Sequence, residues 1–131
     1  MPIEYDIIED KKLVLVKGSG VITAIDVIEH LDRLVADNRY TLPMKKLVDY
    51  RLVEDIKITP EEAKGIAHKK QLLSRTIFLG ERCAFVSPED GTYGTSRVHQ
   101  ALSESSSTST KVFRQLENAV GWLDISLDML T

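Results

Sequence analysis

Polar and charged side chains stand where three apolar runs of the sequence end. They are Asp49, Tyr50 and Arg51 after Leu47-Val48, Ser87 and Asp90 after Ala84-Phe85-Val86, and Arg114 after Val112-Phe113. If the three runs are parallel strands, their carboxyl ends share one edge of a sheet, which is where ligands bind on open α/β sheets. The six residues therefore form a predicted rim for a ligand or a partner.

The arginines give this rim its chemistry. A guanidinium group matches the geometry of a carboxylate or a phosphate, so Arg51 and Arg114 could hold the anionic head group of a small molecule or a lipid. We favour a plainer interpretation, in which Asp49 neutralises an arginine in a structural ion pair, because such pairs are common away from functional sites.

Thr59-Pro60-Glu61-Glu62 is the clearest local signal in the sequence. Thr59 is expected to cap a helix that begins at Pro60, and Glu62 can complete a capping box. The positive end of a helix also attracts negative charge, so Thr59 is in addition a candidate phosphoacceptor. Capping is the interpretation that we favour.

Catalytic and metal-binding patterns give no further candidates. On a helical projection His30 and His68 point away from the apolar stripes and His99 lies on a flank, so we predict solvent-facing histidines and no metal site. Gly18-Ser19-Gly20 lacks the strand-turn-helix context of a nucleophile elbow and is predicted to be a loop. We therefore expect no cofactor and no enzymatic activity.

The remaining basic and thiol side chains receive structural interpretations. Lys45-Lys46 is interpreted as a solvated strand edge, and Lys69-Lys70 with Arg75 as a solvated helix face. Cys83 is the only cysteine of the chain and lies in an apolar run. It is predicted to be a small core residue.

Length and charge restrict the class of protein. The chain has 131 residues, which suits a single domain over 1–131. Its 17 Lys and Arg against 20 Asp and Glu give a net charge of −3, which provides no long-range attraction for nucleic acid. The apolar runs are far shorter than the roughly 20 residues that cross a bilayer. Because the N-terminus also has no secretory pattern, we expect a cytoplasmic protein without a membrane span.

Strand and helix signals alternate along the chain. The predicted strands are Ile3–Glu9, Lys12–Lys17, Met44–Tyr50, Arg82–Ser87 and Lys111–Gln115, and the predicted helices are Ala24–Asp37, one that begins at Pro60, Thr95–Ser103 and Leu116–Leu123. Asp10-Lys11 favours a hairpin, and the Ser- and Thr-rich tract 103–110 favours a loop. The order β-β-α-β-α-β-α-β-α predicts an α/β domain with about five strands and four helices, in which parallel strands follow the N-terminal hairpin.

Apolar spacing predicts which sides of the helices face the core. The inner stripes are predicted to be Ile25, Ile28, Leu31, Leu34 and Val35 in the first helix, Ala63, Ile66, Ala67 and Leu73 in the second, and Leu116, Ala119, Val120 and Leu123 in the last. Trp122 either fills the core or forms a subunit contact. The tail 125–131 is predicted to pack on its own domain or on a second copy.

The order and three motifs resemble a known family. Leu47-Val48-Asp49 closes the third strand, Thr59-Pro60-Glu61-Glu62 opens the second helix, and Val112-Phe113 leads into Ala119–Leu123. In these respects the sequence from Ile3 to Leu123 resembles the STAS/SpoIIAA-like fold. It is similar in particular to uncharacterised bacterial STAS-like (STAS/SEC14-type) single-domain proteins.

This resemblance implies a non-enzymatic regulatory or protein-interaction module that binds a protein partner, or a second copy of itself as a homodimer. Regulatory members of the fold carry a phosphorylatable Ser or Thr at the start of the second helix, within a stretch such as Asp-Ser-Ser-Gly. The segment Asp49–Thr59 lacks the Ser-Ser-Gly element. Another branch is associated with lipid-exchange-type domains, which implies the alternative of a small-molecule or lipid-binding domain. In this alternative an apolar pocket lies between helices, and Arg51 or Arg114 holds the anionic head group of the ligand.

Overall fold

The computed structural model describes residues 2–87 and 109–126. Within these ranges the strands are β1 (Ile3–Ile8), β2 (Leu13–Thr23), β3 (Lys45–Lys57), β4 (Arg82–Val86) and β5 (Ser109–Phe113), and the helices are α1 (Ala24–Ala36), α2 (Pro60–Leu73) and α3 (Leu116–Leu123). The helix predicted over Thr95–Ser103 lies outside the described residues. So does most of the Ser- and Thr-rich tract, although its last two residues open β5 and are not a loop.

One sheet joins the five strands in the order β1-β2-β3-β4-β5. The β1 and β2 strands are antiparallel, and every later pair is parallel. A 3-10 turn over Glu9–Lys11 connects the first pair, with Lys12 in the left-handed region at a φ of 51°. The predicted α/β class, with a hairpin followed by parallel strands, is confirmed.

The β2 and β3 strands are longer than predicted, because both continue past the points where the sequence suggested an end. The prediction of a loop at Gly18-Ser19-Gly20 was wrong, since these residues lie inside β2, where the register with β3 shifts at two places. A Cβ atom at Gly18 would lie 2.7 Å from the ring of Tyr50. The glycine therefore permits a close approach of strand and side chain and does not end the strand.

Capping boxes begin both α1 and α2, and the second of them is the predicted cap at Thr59. Thr23 accepts a hydrogen bond from the backbone N–H of Asp26, whose carboxylate accepts from the Thr23 N–H at 2.8 Å. Thr59 and Glu62 make the same exchange, at 3.1 Å and 2.9 Å. The two boxes fix where α1 and α2 begin beside the long ends of β2 and β3.

The core side of α1 differs from the predicted stripe. Ala24, His30, Leu31 and Leu34 are buried, whereas Ile25, Ile28 and Val35 are exposed. The helix carries apolar residues on two sides, and positions 24, 27, 31 and 34 have the same helical spacing as the stripe that was chosen. The packing of α1 on the sheet, and not its periodicity, selects the inner side.

Helices cover both faces of the sheet. On one face Val48 and Tyr50 belong to a core cluster with buried residues of α1 and α2. On the other face Leu47 packs with Ala119 and Leu123 of α3. Trp122 and Ile125 also pack against this second cluster, so the chain directly after α3 contacts its own domain, and 127–131 lies outside the described residues.

Candidate ligand site

Among the rim residues that the structure describes, Tyr50 and Ser87 are buried and do not share an exposed surface with Arg51. Arg51 and Asp49 form a bidentate ion pair in β3, with Nη2 to Oδ2 at 2.8 Å and Nε to Oδ1 at 2.9 Å. Burial raises the pKa of the Asp49 carboxyl, but the hydrogen bonds from Arg51 outweigh it and the net effect lowers that pKa. Tyr50 points to the opposite face, as alternation in a strand requires, and is buried in the core.

Two other rim residues that the structure describes follow β4 and β5. Ser87 is fully buried, and its backbone N–H donates to the carbonyl of Phe113 at 2.9 Å, which extends the ladder between β4 and β5. Arg114 is exposed between β5 and α3. Asp90 lies outside the described residues.

A cavity of about 70 Å³ lies between the sheet and helices α1 and α2. Its wall is mostly aliphatic and aromatic and also includes three basic side chains. The lining residues are Val16, Ile22, Val27, His30, Leu31, Lys46, Val48, Tyr50, Ile56, Ile58, Ala63, Ile66, Lys70 and Phe85. A pocket between helices agrees with the small-molecule alternative, but Tyr50 is the one described residue of the predicted rim that lines it. The rim prediction placed the polar contacts at the edge of the sheet, whereas the basic residues of this cavity lie under the helices.

Burial shows how the cavity is oriented. Val27 near the start of α1, Ala63 near the start of α2, and Ile56 and Ile58 at the end of β3 are half-buried. Towards the end of α2 and the start of β3 the lining residues are buried. The innermost lining residue of each element is a lysine, Lys70 in α2 and Lys46 in β3. The cavity thus has an apolar mouth at the carboxyl end of β3 and a basic floor.

Lys46 and Lys70 form this floor, and the prediction that both belong to solvated clusters was wrong. Only 2% of Lys46 and 3% of Lys70 is exposed. Lys46 Nζ lies 3.5 Å from Glu81 Oε1, while the hydroxyl of Tyr40 donates to the other carboxylate oxygen. The lysine ammonium groups also lie over aromatic rings of the core, at 4.9 Å and 5.8 Å from the ring centroids.

His30 completes the basic part of the wall, and its predicted exposure was also wrong. It is 7% exposed, it packs edge-on against Tyr5, and its Nδ1 atom is buried without a hydrogen-bond partner. Burial, and after it the charges of Lys46 and Lys70, lower the pKa of His30 to about 3. His30 is therefore neutral at pH 7. His68, by contrast, is exposed as predicted.

In the two described ranges no three His, Cys, Asp or Glu side chains come together as a metal site. Burial raises the pKa of the Cys83 thiol, which is in the core as predicted.

None of the described helices is both long enough and apolar enough to span a membrane. The distinctive chemistry is that of ammonium groups on an apolar wall.

Comparison with known proteins identifies the fold. No protein-family model matches the chain, and no curated protein matches it. A solved structure does match, that of an uncharacterised protein from the DUF3478 family with a SpoIIAA-like fold, from Shewanella loihica PV-4. The TM-score is 0.56 at 20% sequence identity, and the match covers 92% of this chain and 91% of that chain. The likeness confirms the SpoIIAA-like fold that the motifs suggested.

Proposed function

We propose that this SpoIIAA-like chain is a binding module whose ligand is a small apolar molecule held between the sheet and helices α1 and α2. The observation that carries the proposal is the cavity of about 70 Å³ and its largely apolar wall. Protein interiors are close-packed, and a void of only ~10–15 Å³ is large enough to hold a water molecule. A concave, mostly apolar space with a few polar groups is the usual form of a small-molecule site.

This function corresponds to the ligand-binding alternative that the sequence suggested, but different residues contact the polar part of the ligand. Neither Arg51 nor Arg114 lines the cavity. Arg51 instead makes its bidentate pair with Asp49 on the other face of the sheet. A ligand in the cavity meets Lys46, His30 and Lys70 as its polar neighbours.

Octanol is a suitable neutral probe because it has an apolar chain and carries no charge. We expect isothermal titration calorimetry to detect octanol binding to the wild-type chain. Ala63→Trp places a large ring at the mouth of the cavity and should abolish binding. Lys64→Trp is the matched control, because Lys64 is the exposed neighbour of Ala63 on the same helix. Equal binding by both variants, or no binding by the wild type, would contradict the proposed function.

A second candidate function is self-association as a homodimer. It is favoured by the exposed apolar side of α1, where Ile25 is 67% exposed and Ile28 and Val35 are exposed beside it. Positions 25, 28 and 35 project to one side of a helix, so a second copy could cover them together. Sedimentation equilibrium should then show a dimer that Ile25→Asp dissociates, and a monomeric wild type would remove this candidate.

A further inference from the structure

The basic floor of the cavity indicates the chemical class of the ligand. We infer that the ligand is an apolar molecule with one anionic group, a carboxylate in the simplest case, and that Lys46 and Lys70 bind this group at the floor. The inference rests on the proposed function and adds the head group and its orientation. The apolar part of the ligand then extends towards Ile56 and Ala63 at the mouth.

Two different elements bring their lysines to the same end of the cavity. Along α2 the lining passes from Ala63 through Ile66 to Lys70, and along β3 it passes from Ile56 back through Val48 to Lys46. Lys70 stands seven positions after Ala63 in α2, which corresponds to a rise of about 10 Å. A ligand that matches this length and polarity has an anionic group at one end and a hydrocarbon chain of moderate length, as octanoate does.

The charge at the floor favours an anion. Among the described residues that line the cavity, the charged ones are Lys46 and Lys70, and none is acidic. Glu81 neighbours Lys46 but is not itself part of the wall. Water screens charge poorly in such a buried place, so an ammonium group attracts a ligand carboxylate more strongly there than at a surface.

His30 supplies a second, independent observation. More than nine-tenths of this residue is buried, it lines the cavity, and its Nδ1 atom has no hydrogen-bond partner. Buried polar atoms in folded proteins nearly always have a partner. We assign a ligand oxygen as the missing partner, which places the anionic group within reach of α1 as well as β3 and α2.

The pKa of His30 is sensitive to the charges that surround it in the cavity wall. Its low value comes first from burial and then from the positive charges of Lys46, Lys70 and Arg33, while the ring of Tyr5 packs against it from β1. An anion bound among these groups would offset their charge and favour the protonated imidazole. Binding of an anionic ligand should therefore raise the pKa of His30, whereas a neutral ligand should not.

A series of probes with one chain and three head groups tests the inference on the wild-type protein. Calorimetry should show octanoate binding about tenfold or more tightly than octanol, as expected for a charge-assisted hydrogen bond, and octylamine binding more weakly than octanol. Equal affinities for octanoate and octanol would overturn the assignment of the head group and leave the proposed function intact. If none of the three binds, the proposed function fails as well.

Two further measurements locate the head group. Lys70→Met should remove most of the advantage of octanoate over octanol, whereas Lys69→Met is the matched control, because Lys69 pairs with Asp32 outside the cavity. If Lys70→Met does not fold, nuclear magnetic resonance titration of His30 in the wild type gives the answer. A pKa of His30 that stays the same with octanoate and with octanol would overturn the inference.

Discussion

Acid should destabilise this protein through His30 at pH values where most folded proteins are stable. Its pKa is about 3 in the folded chain and 6.5 as the ordinary value. Below pH 6.5 the unfolded chain therefore binds a proton that the folded chain does not, and the free energy of unfolding falls as the pH falls towards 3. Between pH 7.5 and pH 5 the loss from this one residue is about 2 kcal/mol.

Urea denaturation at a series of pH values measures this loss. The variant His30→Leu removes the titrating group and retains an apolar side chain in the buried position. His68→Leu is the matched control, since His68 lies on the exposed side of α2. We expect the wild type and His68→Leu to lose about 2 kcal/mol more between pH 7.5 and pH 5 than His30→Leu loses.

The comparison among the three chains isolates His30, because the carboxylates that titrate in the same range are common to all of them. Asp49, whose pKa is lowered, contributes equally in each chain. The reasoning would be refuted if His30→Leu lost as much stability as the wild type. In that case His30 would accept its proton within the folded protein, and the cavity wall would be far more polar than the structure indicates.

Substitutions at three further positions, one of them combined with a change at Glu81, test the packing around the site. Thr59→Ala should lower the free energy of unfolding by about 1 kcal/mol and leave octanoate affinity unchanged in calorimetry, because Thr59 caps α2; loss of binding without loss of stability would contradict this. Gly18→Ala should destabilise the chain by about 1–3 kcal/mol in thermal melts, because the new Cβ would lie 2.7 Å from the ring of Tyr50, and an unchanged melting temperature would refute the close contact. Lys46→Met should lower the free energy of unfolding by about 3–5 kcal/mol in urea denaturation, because Glu81 is left buried without its ion pair. Adding Glu81→Gln to the same chain should recover much of this loss. A double variant that is no more stable than Lys46→Met would show that the ion pair is unimportant.

The sequence predicts the fold well because its signals are local. Capping residues at Thr23 and Thr59 mark two helix starts, and the structure contains both boxes. The closing strand and α3 follow from apolar runs on either side of a short polar break. The lengths of β2 and β3 were not predictable in the same way. Gly18 looks like the end of a strand, but it leaves room for the ring of Tyr50, a residue that lies far away in sequence.

The cavity was less predictable because its basic residues look like surface residues when taken one at a time. Lys46 stands beside another lysine, yet it shares the inward face of β3 with Val48, two positions away. Lys70 follows Ile66 by four residues and therefore lies on the same side of α2. These spacings were a usable signal for the floor. Nothing local indicated that α1 turns His30 inward, since that depends on how the helix packs.

The position and direction of bound octanoate test the central claim most directly. Nuclear Overhauser effects between the ligand and labelled side-chain methyl groups would measure both. The account predicts contacts from the carbon beside the carboxylate to Val48 and from the far end of the chain to Ile56. Contacts only with the exposed side chains of Val21 and Leu52, or the opposite direction in the cavity, would contradict it.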